Sequence, residues 1–191
     1  YLVSSVLPEL ADLNGAGIRR PLSVLSAACS TGEEAYTIAI MCGEYGRNCG
    51  STCLYRITGT DISARVVQDA ARGMYRESRV TNVPVHIRRR YFMEGKGAKA
   101  GLVRIVPELR ACTEFFTMNL MDSTYPFTGK FDIIFCRNAL IYFDRENQEK
   151  ILQRLARFLK KGGYMFIGHS ETMAGYDVPV RCVDPTVYRK I

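Results

Sequence analysis

The sequence is short of several features that would place the chain in a special class. It has no apolar run of roughly 18 residues, so no membrane span and no direct membrane insertion are expected. Its first residues show neither the basic region nor the apolar core of a secretory signal. It also lacks internal repeats and low-complexity linkers. Because the chain begins at Tyr1, we expect it to be a piece of a longer protein.

A disulfide framework and a metal site are both disfavoured. The seven cysteines are an odd number scattered from Cys29 to Cys182, whereas secreted frameworks favour even, dense sets. Cys49 and Cys53 are spaced closely enough to suggest a zinc site, but no histidine lies near them and no second cysteine pair follows. We therefore expect buried thiols, no metal, and a reducing cytoplasmic location.

What is present is the composition of one globular domain. The chain has 191 residues, of which 47% are hydrophobic and 24% charged. Strand-like apolar runs alternate with helical patterns, which predicts an α/β fold with a mostly parallel sheet. The predicted strands are Pro21–Cys29, Cys53–Thr60, Thr113–Leu120, Phe131–Cys136, Tyr164–Gly168 and Thr186–Arg189; the predicted helices are Tyr1–Leu13, Glu33–Tyr45, Ser63–Arg72 and Glu146–Leu159.

The middle of the chain interrupts this alternation. Two short strand candidates, Tyr91–Met93 and Leu102–Ile105, flank a loop with three glycines. This spacing suits antiparallel pairing and predicts a small β insertion over residues 88–112.

The net charge of +7 is concentrated in one stretch. Between Arg65 and Arg110 there are eleven basic residues and four acidic ones, which accounts for the whole excess. Such a stretch attracts acidic partners. An acidic protein, a nucleic acid and an ordinary solvated face are all compatible with it.

Polar residues follow the predicted strands at the edge where parallel sheets bind ligands. Ser30, Asp61, Asn119 and the Arg137–Asn138 pair all fall there. The turn Ser30–Glu34 is neither a dinucleotide fingerprint nor a P-loop, and its two carboxylates would repel a pyrophosphate. Asp61 is placed to accept ribose hydroxyls. A nucleoside with a positively charged amino-acid tail, such as S-adenosylmethionine, is favoured over a dinucleotide and over no nucleotide.

Several motifs together resemble the CheR-type chemotaxis receptor methyltransferases. They are Ser26-Ala-Ala-Cys-Ser-Thr-Gly-Glu-Glu-Ala-Tyr36, Thr60-Asp-Ile62, Arg90-Tyr-Phe-Met93, Phe135-Cys-Arg-Asn-Ala-Leu-Ile-Tyr-Phe-Asp144 and Gly168-His-Ser-Glu171. The resemblance extends from about Leu22 to Tyr188.

The resemblance implies a class I methyltransferase fold, Rossmann-like, with a mostly parallel seven-stranded sheet and a small antiparallel β-subdomain. Residues 1–191 would form the catalytic domain, and the N-terminal helical domain and linker motif of the family lie outside this chain. The implied activity is transfer of methyl from S-adenosylmethionine to receptor glutamates, giving methyl esters and S-adenosylhomocysteine. The implied cofactor residues are Glu34, Asp61, Asn119, Leu120, Arg137 and Asn138, and Tyr142 matches a tyrosine beside the methyl group.

The chemistry needs no general base, because a carboxylate is already an anion at pH 7. We expect Arg137 to hold the cofactor tail or the acidic substrate, and Tyr142 to line the transfer site. The simpler alternatives are a surface ion pair for Arg137 and a core aromatic for Tyr142.

The expected partners are acidic helical bundles of chemoreceptor cytoplasmic domains, including a receptor C-terminal tail at the β-subdomain. No nucleic acid is expected. Two other functions remain open at this point, a nucleic-acid methyltransferase and a non-catalytic regulatory module. The former should carry a proline-containing base-flipping motif, which the segment Arg137–Leu140 lacks.

Overall fold

The computed structural model describes all residues from Tyr1 to Ile191 as an α/β structure with two sheets. None of its helices is both long and apolar enough to span a bilayer. The strands are β1 (Leu22–Ala27), β2 (Tyr55–Asp61), β3 (Met74–Arg76), β4 (Phe92–Glu94), β5 (Leu102–Ile105), β6 (Thr113–Thr117), β7 (Phe131–Cys136), β8 (Leu159–Ile167), β9 (Val180–Asp184) and β10 (Val187–Lys190).

Six α-helices connect these strands, and the N-terminal one is extended by a π-helical turn at Leu2–Val6. The helices are α1 (Leu7–Asn14), α2 (Glu33–Asn48), α3 (Ala64–Arg72), α4 (Val85–Tyr91), α5 (Pro107–Ala111) and α6 (Arg145–Arg157). The four helices expected from the sequence are α1, α2, α3 and α6, whereas α4 and α5 are too short to show a helical period.

The large sheet has seven strands in the order β6-β2-β1-β7-β8-β10-β9. Only β10 runs antiparallel to its neighbours. The expected fold class, a mostly parallel sheet of Rossmann-like type, is confirmed. Since β1 lies between β2 and β7, the strand order reverses there, and this is the point at which such sheets open a crevice for a ligand.

The apolar run of β7 is explained by burial on both faces of the sheet. Its side chains alternate between two core clusters, with Ile133 and Phe135 on one side and Ile134 and Cys136 on the other. Helices α1 and α2 cover the first face and α6 covers the second.

The small sheet has three antiparallel strands in the order β3-β5-β4. The sequence predicted only the two around the glycine loop. The third, β3, lies before residue 88, so the sheet extends beyond the expected range of 88–112. Three residues are too few for an alternating pattern, which is why β3 left no signal.

One helix ending was predicted incorrectly. The sequence predicts a helix up to Leu159 with its basic and glycine-containing terminus at Lys160–Gly163, yet α6 ends at Arg157 and Lys160–Gly163 belong to β8. Leu159 pairs with Phe131 and Tyr164 with Ile133, so these residues form an irregularity within the strand. Gly163 is required there, because a Cβ atom would lie 2.7 Å from the Asp132 carbonyl oxygen.

A buried carboxylate ties the start of β7 to its surroundings. Asp132 is fully buried and accepts hydrogen bonds from Arg20 at 2.6 and 2.8 Å, from the Ser23 amide at 2.9 Å and from Lys160 at 3.0 Å. Burial alone raises the pKa of Asp132, but these donors outweigh it and hold the pKa below its usual value.

We expect Asp132→Asn to lower the free energy of unfolding by about 3 kcal/mol at pH 7, because two cations lose their buried partner. The folded pKa is depressed, so this stabilisation exists above the unfolded pKa of about 3.9 and is lost as the pH falls through the folded value. Urea unfolding at pH 7 and at acidic pH measures both effects.

Asp69→Asn is the matched control, since Asp69 forms an exposed pair with Arg72 at 3.2 Å. Exposed pairs contribute little, so the control should change stability by under about 1 kcal/mol. Equal losses in the two variants at pH 7 would contradict the role assigned to Asp132.

Candidate functional site

The carboxyl ends of β1, β2, β6 and β7 surround a cavity of about 450 Å³. This volume is within the range of small-molecule sites. Its wall combines apolar side chains with one carboxylate and two amides. The lining residues are Ala28, Ser30, Asp61, Ile62, Met118, Asn119, Leu120, Asn138, Ala139, Tyr142 and Phe143.

The turn after β1 has an unusual backbone. Ala28, Ser30 and Gly32 have φ angles of 58°, 51° and 90°, a left-handed region that side chains rarely adopt. At Gly32 the backbone passes close to α3, and a Cβ atom would lie 2.9 Å from the Ala70 Cβ. Helix α2 begins directly after Gly32, and Glu33 and Glu34 lie in its first helical turn.

Asp61 connects two strand ends. One carboxylate oxygen accepts the Ser30 N–H at 2.9 Å and the other accepts the Ser63 N–H at 3.0 Å. Each oxygen keeps further acceptor capacity, because a carboxylate oxygen has two lone pairs. Asp61 thus faces the cavity with a fixed orientation.

Glu34 is largely buried beside the cavity. It accepts a hydrogen bond from the Ser26 hydroxyl at 2.7 Å and pairs with Arg137 at 3.6 Å. Burial raises the pKa of Glu34 above its usual value, although Ser26 and Arg137 oppose the shift. The pair leaves a carboxylate with some exposed surface at the start of α2, where a positively charged group on a ligand would be stabilised.

The segment after β7 carries two of the expected residues to the cavity. Asn138 has a φ of 56°, and Leu140–Tyr142 form a 3₁₀ turn. The Tyr142 side chain is 81% exposed at the cavity. It is therefore not a core aromatic.

Six of the eight residues singled out from the sequence line the cavity, namely Ser30, Asp61, Asn119, Leu120, Asn138 and Tyr142. The other two, Glu34 and Arg137, are paired with each other beside it. Ile62, Met118 and Phe143 are lining residues that the sequence did not single out. Their only signal was proximity to a strand end or to a motif, because apolar side chains carry no chemical signature.

A model of one protein family, "CheR methyltransferase, SAM binding domain", matches residues 1–189. The chain belongs to this family. The CheR domain described here is 36% identical over 190 residues to a chemotaxis protein methyltransferase of Borreliella burgdorferi, covering 100% of this chain and 66% of that protein. It is 39% identical over 183 residues to chemotaxis protein methyltransferase 2 of Pseudomonas aeruginosa, covering 95% and 65%.

The chain spans about half to two thirds of the length of such relatives. It is 43% identical over 152 residues to the Salmonella typhimurium chemotaxis protein methyltransferase and covers 52% of that protein. Among solved structures, the citrinin polyketide synthase CMeT domain has a similar fold. The TM-score is 0.50 at 16% identity, covering 84% of this chain and 32% of that one.

The family identifies the cofactor as S-adenosylmethionine, as the sequence predicted. The cavity's chemistry fits this molecule. No lysine or arginine lines it, and the one arginine beside it, Arg137, is paired with Glu34, whereas Asp61 and the two amides offer hydrogen bonds to an uncharged nucleoside.

We expect Gly32→Ala to destabilise the CheR domain by about 2–3 kcal/mol, through left-handed strain and contact with Ala70. Gly50→Ala is the control, because Gly50 has a φ of 66° but nothing within 4 Å of its added Cβ. That variant should lose only about 1–2 kcal/mol. Urea unfolding compares them, and equal losses would show that the close approach at Gly32 is unimportant.

Proposed function

We propose that this CheR domain is the cofactor-binding part of an enzyme that methylates glutamate side chains of chemoreceptors in the cytoplasm. The convergence of Asp61, Asn119, Asn138 and Tyr142 around one cavity carries the proposal. The printed names of the relatives, chemotaxis protein methyltransferases, support the reaction class and pathway. Seven unpaired cysteines are consistent with a reducing compartment. A nucleic-acid methyltransferase and a non-catalytic module are not favoured by these similarities.

The proposed binding roles follow the chemistry of each side chain. Asp61 accepts ribose hydroxyls with the lone pairs that Ser30 and Ser63 leave free. Asn119, after β6, and Asn138, after β7, supply amide groups from two sides of the cavity, and Leu120 supplies an apolar contact. The Glu34–Arg137 pair offers one group of each sign to an amino-acid tail, which carries an ammonium and a carboxylate.

When bound, S-adenosylmethionine supplies an electrophilic methyl group, and a glutamate carboxylate is already ionised at pH 7. No residue needs to remove a proton. The contribution of the chain is to orient the two reactants, which can lower a bimolecular barrier by about 7–11 kcal/mol. Tyr142, exposed at the cavity, is placed to line the approach of the acceptor.

The small sheet provides a surface for an acidic peptide. Beside β3, β4, β5 and the loop between β4 and β5, a hollow of about 310 Å³ combines the apolar side chains Met74, Met93 and Leu102 with three basic residues and one acidic residue, namely Lys96, Lys99, Arg104 and Glu94. Strand β4 is an edge of this sheet, so its free backbone groups can pair with an extended segment. We propose that a receptor C-terminal tail docks here.

A second basic surface lies on α4, which contributes His86, Arg89 and Arg90 to it. Arg90 is already paired with Glu44 at 2.5 Å, so the remaining basic side chains of α4 are the ones available to an acidic receptor bundle. These residues and Val85 all belong to one helix, so they form an open surface and not an enclosed site.

The decisive experiment measures methyl transfer from labelled S-adenosylmethionine to receptor cytoplasmic fragments, with DNA and RNA as competing acceptors. We expect label on the receptor fragment alone, released as methanol by mild base because methyl esters are base-labile. Calorimetry with S-adenosylhomocysteine establishes cofactor binding independently. Base-stable label, or label on nucleic acid, would overturn the proposal.

Tyr142→Phe should lower turnover about tenfold, the magnitude expected for one hydrogen bond used at the transfer step, and leave S-adenosylhomocysteine affinity nearly unchanged. Tyr1→Phe is the control, since Tyr1 is also exposed but does not line the cavity. Full turnover in Tyr142→Phe would remove the hydroxyl from the mechanism.

A further inference from the structure

The Glu171 carboxylate occupies an unusual position in the loop that follows β8. It accepts three backbone N–H groups. One oxygen accepts from Gly168 at 2.5 Å and from Asn138 at 3.2 Å, and the other accepts from Leu140 at 2.9 Å. Hydrogen bonds to a charged acceptor are stronger than neutral ones, so this carboxylate joins the loop after β8 firmly to the segment after β7.

The backbone at Gly168 passes very close to this carboxylate. A Cβ atom at Gly168 would lie 2.6 Å from the Glu171 carboxylate and 2.9 Å from the Asn138 nitrogen. Only glycine allows so close an approach. Asn138 in turn holds a φ of 56°, a left-handed conformation that asparagine adopts more readily than most residues with a side chain.

The segment that Glu171 holds carries the proposed cofactor and transfer residues. Glu171 binds its N–H groups at positions 138 and 140, while Gln148 of α6 donates to the carbonyls of Leu140 at 3.0 Å and Phe143 at 2.8 Å. The backbone between β7 and α6 is therefore held from two sides by side chains of other elements.

We propose that Glu171 is a positioning residue of the cofactor site. It keeps the turn at Asn138 in its left-handed conformation, so that Asn138 and Tyr142 face the cavity and Arg137 reaches Glu34. Glu171 is not among the residues that line the cavity, so it acts through this turn. The inference rests on the proposed function of the cavity.

The charge and the length of the side chain both matter in this arrangement. In Glu171→Gln one acceptor oxygen is replaced by an NH₂ group that faces a backbone N–H, so at least one of the three hydrogen bonds is lost. Glu171→Asp keeps the charge on a shorter side chain and should recover part of the loss. Thr172→Ala is the matched control, because it removes a side-chain acceptor from the Ala174 N–H in the same loop.

Calorimetry with S-adenosylhomocysteine is the first test. We expect Glu171→Gln to weaken binding tenfold or more, Glu171→Asp to weaken it less, and Thr172→Ala to leave it unchanged. Unchanged binding in Glu171→Gln, with a wild-type chain that binds, would overturn the positioning role alone. A wild-type chain that does not bind would overturn the proposed function as well.

A double-mutant cycle separates positioning from general destabilisation. Because Glu171 acts through the turn that carries Arg137, the loss in Glu171→Gln combined with Arg137→Ala should be smaller than the product of the two single losses. A residue with only a structural role would give independent losses, and that result would contradict the proposal.

A spectroscopic signature completes the test. The amide proton resonances of Asn138, Leu140 and Gly168 should move upfield in Glu171→Gln as their charged acceptor is lost, and should stay in place in Thr172→Ala. Unmoved resonances would overturn the proposal. If Glu171→Gln does not fold, Glu171→Asp is used for calorimetry and for the double-mutant cycle, because its shorter side chain cannot reach all three N–H groups.

Discussion

Two carboxylates hold the ends of the parallel strands in place by accepting backbone N–H groups that the sheet leaves unpaired. Asp61 joins the end of β2 to the turn after β1 through Ser30. Glu171 joins the end of β8 to the turn after β7 through Asn138. Ser30 and Asn138 both have left-handed backbones, so each carboxylate stabilises a turn that would otherwise relax. Both turns carry residues that line the cavity.

The carboxylates of the chain differ in role because their surroundings differ. Asp132 is fully buried at the opposite ends of the strands and is satisfied entirely by Arg20, Lys160 and a backbone amide. It stabilises the fold and has no access to a ligand. Glu34 and Asp61, at the edge that carries the cavity, use only part of their acceptor capacity for hydrogen bonds within the chain. The same functional group thus serves stability at one edge of the sheet and recognition at the other.

The site was predictable where its residues have a distinctive chemistry and a motif. Polar residues directly after apolar strands placed Asp61, Asn119 and Asn138 at the edge of the sheet where the cavity lies, because parallel strands end at one edge. Gly168-His-Ser-Glu171 was noticed as a motif, yet nothing in it showed that Glu171 would reach back to Asn138. That contact joins residues 33 positions apart in the chain, and only the packing of β7 against β8 brings them together.

The sequence by itself determined the α/β class, the family resemblance, the cofactor and the edge of the sheet at which the cavity lies, since hydrophobic period and motif spacing are local properties. Only the tertiary structure decided that β3 adds a third strand to the small sheet, that Lys160 to Gly163 continue a strand, and that Tyr142 is exposed rather than buried. Each of these depends on contacts between residues distant in the chain, whose free energy no local pattern records.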